Sequence, residues 1–426
     1  MASVLCRNNF LRNLSINFRC KHKSRRFQST SINTIIDPSF ELTTDQIQLQ
    51  EMAYNFSVNE FRPYMQEWDE KEYFPRDQMK KCAELGFGGL YIPIEDGGTG
   101  LSRLETSIVV EALAQGCVST TALLTIHNMA SNLISSYANK ELKKKYLPDL
   151  ISFEKMASYC LTEPGAGSDA GNLSTSAVRK DGYYIVNGSK AFISGGGDSD
   201  VYVVMCRTGP SGPKGISCLL IEKGTEGLSF GKKEKKLGWN TQPTRAVIME
   251  DCKVPVENLV GEEGQGFKMA MDGLNGGRLN ISACSLGAAQ WALEETIAYT
   301  SDRKQFNRTI ASFQNTQFKL ALLASELVAS RLFIRSAARR FDAETNDTEM
   351  NVKTVPLPSL VAAGKLIATE KAFMIIDQCL QLFGGYGYLK DFPLQQLLRD
   401  SRVHRILEGT NEIMQLIISR DFIQKK

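Results

Sequence analysis

The sequence predicts an α+β protein of several domains: an N-terminal helical domain, a central antiparallel β domain and a C-terminal four-helix bundle. Apolar residues recur at three- and four-residue spacing within residues 40–155, which is typical of helices that bury one face. Residues 156–265 instead contain short β-branched and aromatic runs separated by turn signals. Residues 266–426 return to long helical patterns. These changes of pattern indicate the order α–β–α.

The helical spacing of the first block is clearest at residues 46–61 and 76–85. Residues 105–114 continue the pattern and lead into a stretch of small side chains. The connector 91–102, YIPIEDGGTGLS, is rich in turn residues and is predicted to be a loop.

Four runs in the middle block have the composition of strands: residues 182–194, 200–208, 215–223 and 245–254. The dipeptides Asp181-Gly182 and Asn187-Gly188 are turn signals that separate or interrupt them. The last block contains no proline from residue 256 to residue 355, and helices are predicted near 265–302, 313–342, 357–383 and 393–424. Because short polar loops separate these segments, a four-helix bundle is expected.

The N-terminal 36 residues contain seven Arg or Lys side chains and no Asp or Glu. A basic, serine-rich and acid-poor start is typical of a mitochondrial transit peptide, here assigned to residues 1–28, and predicts a mature protein in the mitochondrial matrix. The alternative is a disordered basic arm that binds nucleic acid. Removing the seven charges changes the net charge from +3 to about −4, so nucleic acid is not an expected partner. No apolar run approaches the roughly 18–20 residues that span a bilayer.

The chain has ten cysteines without any C-x-x-C pair, and only three histidines. We therefore expect no metal site and no disulfide framework, and the thiols are expected to be reduced core residues. With so few histidines, carboxylates become the main candidates for acid–base chemistry.

Residues 159–171, YCLTEPGAGSDAG, form the first stretch with a chemical role. Gly165 and Gly167 permit backbone angles that other residues resist, so that N–H groups and the hydroxyls of Thr162 and Ser168 could approach a flat or anionic ligand. A tight turn with a Ser or Asp cap is an equally good interpretation from the residues alone.

This stretch closely resembles the first signature of the acyl-CoA dehydrogenases, flavoproteins that desaturate acyl-CoA thioesters. Four further motifs resemble that family in the same order: AFISGG at 191–196, DRKQF at 302–306 with Phe313-Gln314, QLFGGYG at 381–387 and LEGTNE at 407–412. The resemblance covers about residues 40–426 and implies the acyl-CoA dehydrogenase fold. GGYG also suggests a dinucleotide fingerprint, but it follows a helical run instead of a strand.

The resemblance implies FAD as the cofactor, with the diphosphate contact at Arg303 reached from a neighbouring subunit. The implied cofactor residues are Tyr159, Cys160, Leu161, Thr162, Gly165, Gly167, Ser168, Phe192, Ile193, Ser194, Arg303, Phe313, Gln314, Gln381, Leu382, Phe383, Gly384, Gly385, Thr410, Asn411 and Glu412. The implied substrate residues are Ser168, Asn275, Gly276, Gly277, Arg278, Gly409 and Arg420. A positive charge at Arg303 and donors at Gln314 suit a diphosphate.

Glu408 is the predicted catalytic base. It lies between Leu407 and Gly409, and burial beside apolar groups would raise its pKa from about 4.3 towards the working pH. Some members of the family carry the base just before a substrate-binding arginine, but here Gly277 occupies the position before Arg278. The base is therefore assigned to Glu408, and Gly409 is expected to leave room for the thioester.

The sequence most resembles the branch of the family that acts on isobutyryl-CoA, in GLNGGRLNISACSLGAA at 273–289 and DSRVHRILEGTNE at 400–412 among others. The expected reaction is oxidation of isobutyryl-CoA to methacrylyl-CoA in valine catabolism. 2-Methylbutyryl-CoA or a short straight-chain acyl-CoA is the alternative substrate. By resemblance, electron-transfer flavoprotein is the expected electron acceptor and the assembly is a homotetramer. An acyl-CoA oxidase and a non-catalytic assembly factor are the rival classes.

Overall fold

The computed structural model describes residues 34–345 and 355–423, so the predicted transit peptide at 1–28 lies outside the described residues. The N-terminal helices are α1 (Thr44–Glu60), α2 (Met65–Lys71), α3 (Arg76–Glu84), α4 (Arg103–Ala114), α5 (Val118–Tyr137) and α6 (Lys140–Ile151). Capping boxes start two of them, Thr43 with Gln46 at α1 and Ser102 with Glu105 at α4. In each box the two residues satisfy each other's free backbone N–H group.

The strands are β1 (Ala157–Cys160), β2 (Ser176–Lys180), β3 (Tyr183–Ser194), β4 (Val201–Arg207), β5 (Ile216–Glu222), β6 (Leu228–Phe230), β7 (Thr244–Pro255) and β8 (Leu259–Val260). Their order in the sheet is β6-β7-β3-β2-β4-β5-β8, with β1 beside β4. The predicted turn at Asp181-Gly182 joins β2 to β3, and both residues have positive φ, as a tight hairpin requires.

The sheet is mixed, and not purely antiparallel as the sequence analysis expected. β4 pairs in parallel with β1 and with β2, while the other pairings of the sheet are antiparallel. Parallel neighbours need a crossover connection, and the chain from β2 to β4 supplies one that contains β3. β4 is buried on both faces: Val203 and Met205 pack towards α5 and α6, whereas Tyr202 and Val204 pack on the opposite side.

The C-terminal block contains α7 (Gly266–Asp302), α8 (Gln314–Thr345), α9 (Leu357–Phe383), α10 (Leu394–Arg402) and α11 (Asn411–Ile423). A short hairpin of β9 (Lys304–Gln305) and β10 (Arg308–Thr309) joins α7 to α8. One continuous apolar core connects α1, α4 and α5 with α7, α8, α9 and α10. Among the described residues, no helix has the length and apolar character needed to cross a bilayer.

The helix predicted at 393–424 is in fact two helices, α10 and α11. Glu408 and Gly409 between them have φ of +57° and +87°, in the left-handed region that an α-helix of L-residues cannot continue through. The glutamate predicted as the base therefore lies in a turn, which we call the base turn (residues 403–410).

Candidate active site

The carboxylate of Glu408 lies directly against the backbone of α7 at Gly277. A Cβ atom added to Gly277 would be 2.5 Å from Glu408 Oε2 and 2.9 Å from Oε1, so only glycine leaves this space. Oε2 is buried and accepts no hydrogen bond from the described residues. A buried acceptor without a partner is costly, and such atoms are typical of sites that receive a ligand.

Burial raises the pKa of Glu408 to about 7, although the positive charges of Arg278 and Lys365 oppose this rise. A carboxylate with a pKa near neutrality is a much better base than an ordinary glutamate, while it is still ionised in part at pH 7. Burial raises the pKa of the Tyr159 and Tyr91 phenols, and the charge of Glu408 adds to the rise in both, so both rings lie in its field.

Arg278 is buried and holds the base turn from α7. Its Nε donates to the carbonyl oxygen of Glu408 (3.1 Å), and its Nη1 donates to Asn275 Oδ1 (2.8 Å). The predicted substrate residues Asn275, Gly277 and Arg278 are therefore brought together with the predicted base. The backbone N–H of Glu408 meets no acceptor in the described part of the chain.

Two cationic residues of this site were missed by the sequence analysis, Arg103 and Lys365. The Arg103 guanidinium covers Gly276, where an added Cβ would lie 2.8 Å from Nη1, and it stacks 3.7 Å from the centre of the Tyr91 ring. Lys365 Nζ donates to the carbonyl oxygen of Gly409 at 2.9 Å. The signal for Lys365 was present, because a single lysine in the apolar run LVAAGKLIA is unusual on a buried helix face.

The turn after β1 carries the first group of predicted cofactor residues. Gly165 and Gly167 do not have left-handed φ, so this turn does not use the backbone angles that glycine permits. A Cβ at either position would meet no atom within 4 Å, and both glycines border open space. The Thr162 carbonyl accepts from Ala191 N–H (2.8 Å), which joins this turn to β3.

Glu163 fixes this turn from inside. It is buried and forms an ion pair with Lys190 at 2.7 Å, and it accepts from the N–H groups of Ser174 and Thr175. Burial alone would raise the pKa of Glu163, but Lys190 and these donors lower it to about 2. The glutamate of the motif is therefore a structural anion.

Phe192 occupies a bulge of β3 close to the same turn. Its φ is +58° and its side chain is 72% exposed, which is unusual for a phenylalanine inside a strand. The neighbouring Ile193 is buried, so the bulge sends the two side chains to opposite sides. An exposed aromatic ring beside an open glycine turn provides a surface for a planar ligand.

A second group of predicted cofactor residues surrounds a surface pocket of about 410 Å³ between α7 and α9. Arg303 and the segment 381–385 line it, so two motifs far apart in the sequence are brought together. Phe383 stacks on Tyr299 with ring centres 4.1 Å apart and is largely buried. Gly384 ends α9 with a φ of +60°, and a Cβ at Gly384 or Gly385 would meet open space.

The remaining predicted residues near the C-terminus differ in burial and in their hydrogen bonds. The side chain of Asn411 is buried and bonded inside the protein, accepting from Lys365 and donating to Glu370. Thr410 Oγ1 accepts from the N–H of Ile413 at the start of α11. Arg420 is exposed on α11. Within the described residues, no hydrogen bond or ring contact connects the pocket at Arg303 with the turn at Thr162.

The chain belongs to the acyl-CoA dehydrogenase family. Its residues 43–154, 158–252 and 264–423 match the family's N-terminal domain, middle domain and C-terminal domain, respectively. The predicted family and fold are thereby confirmed, and the protein is an oxidoreductase of that family.

The relatives of this chain include two proteins that share one name. It is 58% identical over 393 residues to the mitochondrial isobutyryl-CoA dehydrogenase of Dictyostelium discoideum, covering 92% of each chain. It is 56% identical to the mitochondrial isobutyryl-CoA dehydrogenase of Bos taurus, again covering 92% of each chain. A chain in the solved structure of the electron transferring flavoprotein of Acidaminococcus fermentans is similar with a TM-score of 0.85 and 37% identity, covering 90% of this chain and 99% of that one.

Proposed function

We propose that this protein oxidises isobutyryl-CoA to methacrylyl-CoA with FAD, and that Glu408 is the base. The observation that carries the proposal is the Glu408 carboxylate, which is buried, has no partner at Oε2, and lies in a space left by Gly277. The identity of 58% and 56% to two isobutyryl-CoA dehydrogenases supports the acyl group.

The residues fit a flavin dinucleotide in two regions. Open glycines at 165 and 167 and the exposed ring of Phe192 would take the planar part of the cofactor. Arg303, with the open glycines at 384 and 385, would take the diphosphate and adenine side. When bound, FAD supplies the acceptor for the hydride that leaves the β carbon of the substrate.

The protein's own part in the reaction is to remove the α proton and to polarise the thioester. The proton moves from the α carbon to Glu408 Oε2, and the electron pair of the broken C–H bond forms the Cα=Cβ double bond as the hydride leaves the β carbon, with negative charge developing on the thioester carbonyl oxygen. The free N–H of Glu408 is the donor available to the carbonyl oxygen as negative charge develops there. Arg278 donates to the carbonyl oxygen of Glu408 and to Asn275 Oδ1, so both residues lie next to this donor.

The two regions of cofactor residues support an assembly in which neighbouring subunits complete each flavin site. We propose a homotetramer, in agreement with the exposed hairpin that carries Phe306, which is 88% exposed. The likeness to a chain in the Acidaminococcus fermentans structure supports electron-transfer flavoprotein as the electron acceptor. The names of the relatives support a mitochondrial location, and valine catabolism in the matrix is the corresponding role.

A substrate panel tests the function. The purified protein is assayed with isobutyryl-, 2-methylbutyryl-, butyryl- and isovaleryl-CoA, using electron-transfer flavoprotein as the acceptor. We expect the highest kcat/KM with isobutyryl-CoA. Higher values with 2-methylbutyryl-CoA would select that alternative, and equal or higher values with butyryl-CoA would overturn the assignment to branched chains.

The Glu408→Gln variant tests the base. We expect it to remain yellow with bound flavin and to lose activity by roughly 10²- to 10⁴-fold, the usual contribution of a positioned base. A colourless wild-type protein would instead support a non-catalytic assembly factor. Rapid reoxidation of the flavin by air with substrate bound would support an oxidase.

A further inference from the structure

Lys365 is a lysine that the fold encloses completely. It lies in α9, its side chain has 0% exposure, and its neighbours along the helix are mostly apolar. Its Nζ donates to the carbonyl oxygen of Gly409 (2.9 Å) and to Asn411 Oδ1 (2.7 Å). Burying an ammonium group has a high free-energy cost unless the group is paired and hydrogen-bonded. The positions of its two hydrogen bonds therefore require an explanation.

The contact with Gly409 has a counterpart on the preceding residue. Arg278 holds the carbonyl oxygen of Glu408, and Lys365 holds the carbonyl oxygen of Gly409, so two buried cations fix two successive peptide groups. Glu408 has a left-handed φ of +57°, which is unfavourable for a residue with a side chain. Strain of this kind persists only where surrounding contacts enforce it.

The charge of Lys365 acts on the same carboxylate. The groups that face Glu408 are Arg278 from α7, Lys365 from α9, Tyr159 from β1 and the phenol of Tyr91. Burial raises the pKa of Glu408, and the two cations oppose that rise.

Lys365 itself remains charged at neutral pH. Burial lowers its pKa to about 8, with Glu408, Glu370 and Glu412 opposing this and Arg278 adding to it. At pH 7 most molecules therefore carry an ammonium group next to the base turn.

We propose that Lys365 is a positioning residue of the reaction: it fixes the carbonyl of Gly409, directly after the base, and its positive charge stabilises the ionised form of the base. This inference rests on the proposed role of Glu408 and deepens it. Lys365 acts through Glu408 and Gly409 and does not itself touch the reacting atoms.

Lys365→Met tests the proposal, because methionine keeps much of the volume and removes the charge and both hydrogen bonds. The matched control is Lys371→Met on the same helix, whose ammonium group pairs with Glu326 at 2.8 Å where both side chains are partly exposed. The measurement is kcat/KM against pH, using whichever acyl-CoA of the panel the wild type oxidises best. Flavin content and thermal unfolding are recorded for each protein.

We expect the rising limb of the profile to move about one pH unit higher in Lys365→Met, as loss of one nearby opposite charge predicts. At pH 6 this shift alone lowers kcat/KM roughly tenfold. Lys371→Met should keep the wild-type midpoint. Lys365→Arg, which restores the charge, should return the midpoint towards that of the wild type.

An unchanged midpoint in Lys365→Met with normal flavin content would overturn the inference, as would a shift of equal size in Lys365→Arg. If Lys365→Met does not fold, the same profile is measured on Lys365→Gln, whose amide can donate to Gly409 without a charge. Failure of the proposed function would give a different result. The wild-type protein would then show activity that does not depend on Glu408, or no activity with isobutyryl-CoA.

Discussion

At the scale of single residues, the site requires glycine at two positions, because the charged side chains beside them fill the space that a larger residue would occupy. Gly277 leaves the space that the Glu408 carboxylate fills, and Gly276 leaves the space that the Arg103 guanidinium fills. Both glycines lie inside α7, where glycine is less favourable than alanine by roughly 1 kcal/mol. Their positions are explained by these two contacts.

Gly277→Ala should therefore reduce activity while leaving stability nearly unchanged. The new methyl group would overlap the carboxylate, which lies at the flexible end of its side chain and can move. We expect a loss of activity of about 10²-fold, typical of a misplacement of 1 Å, with little change in melting temperature. Gly273→Ala is the control on the same helix, since its nearest contact would be an ordinary 3.5 Å. Equal activity in the two variants would contradict this account of Gly277.

The pKa of Glu408 predicts the pH dependence of the reaction. As the proposed base, Glu408 acts only when ionised, so kcat/KM should rise tenfold per unit at low pH and level off above a midpoint of about 7. A profile that is flat down to pH 5 would show that Glu408 titrates as an ordinary glutamate.

The raised pKa of Glu408 also makes stability depend on pH. Activity should increase with pH, whereas stability should decrease. Because folding raises the pKa of Glu408, the folded state binds its proton more tightly, and stability falls as pH rises from about 4.5 to about 7. Glu408→Gln removes this effect. Thermal unfolding should show the variant more stable than wild type at pH 8 and similar to it at pH 4.

At the scale of elements, a buried charge network connects the two helical blocks. Glu111 on α4 forms an ion pair with Arg331 on α8 at 2.7 Å, and Arg331 also donates to Gln290 on α7. Arg335, one turn further on α8, donates to the carbonyl oxygens of Pro38 and Phe40. These contacts fix the register of α4, α7 and α8.

Glu111→Leu should destabilise the fold strongly, because Arg331 would be left buried without its counter-ion. The expected cost is about 3–5 kcal/mol in the free energy of unfolding. The double variant Glu111→Leu with Arg331→Leu should be less destabilised than the single one, because only Arg335, which lies 3.8 Å from Glu111, then lacks its counter-ion. Glu326→Leu, which breaks a partly exposed pair, is the control and should cost about 1 kcal/mol or less. Chemical denaturation measures all four proteins.

At the scale of the whole molecule, the predicted cofactor residues fall into two regions of one chain, and the proposed tetramer unites them across subunits. Arg303 lies in the pocket between α7 and α9, whereas Glu408 lies with the groups of the base turn. A site built from two copies can be tested by mixing variants.

Arg303→Glu and Glu408→Gln should each be nearly inactive alone, the first through weak flavin binding and the second through loss of the base. Dissociated and reassembled together, they should recover activity in roughly a quarter of the sites, where an intact Glu408 meets an intact Arg303. The control is each variant reassembled with itself. No recovery in demonstrated mixed oligomers would mean that one chain supplies both residues.

Local sequence patterns were sufficient to predict the long helices, one hairpin and the family of this protein. Three- and four-residue periodicity located the long helices, turn signals located the β2–β3 hairpin, and five motifs in order indicated the family. These features are readable because each depends on residues close together in the chain.

Only the tertiary structure determined the pKa of Glu408, the proposed base. The pKa of Glu408 depends on burial and on cations at positions 278 and 365, far away in the sequence. The break between α10 and α11 follows from contacts that enforce a left-handed glutamate, which local propensity disfavours. Sequence alone selected Glu408, but desolvation and the carbonyl contacts of Arg278 and Lys365 arise only when the helices pack.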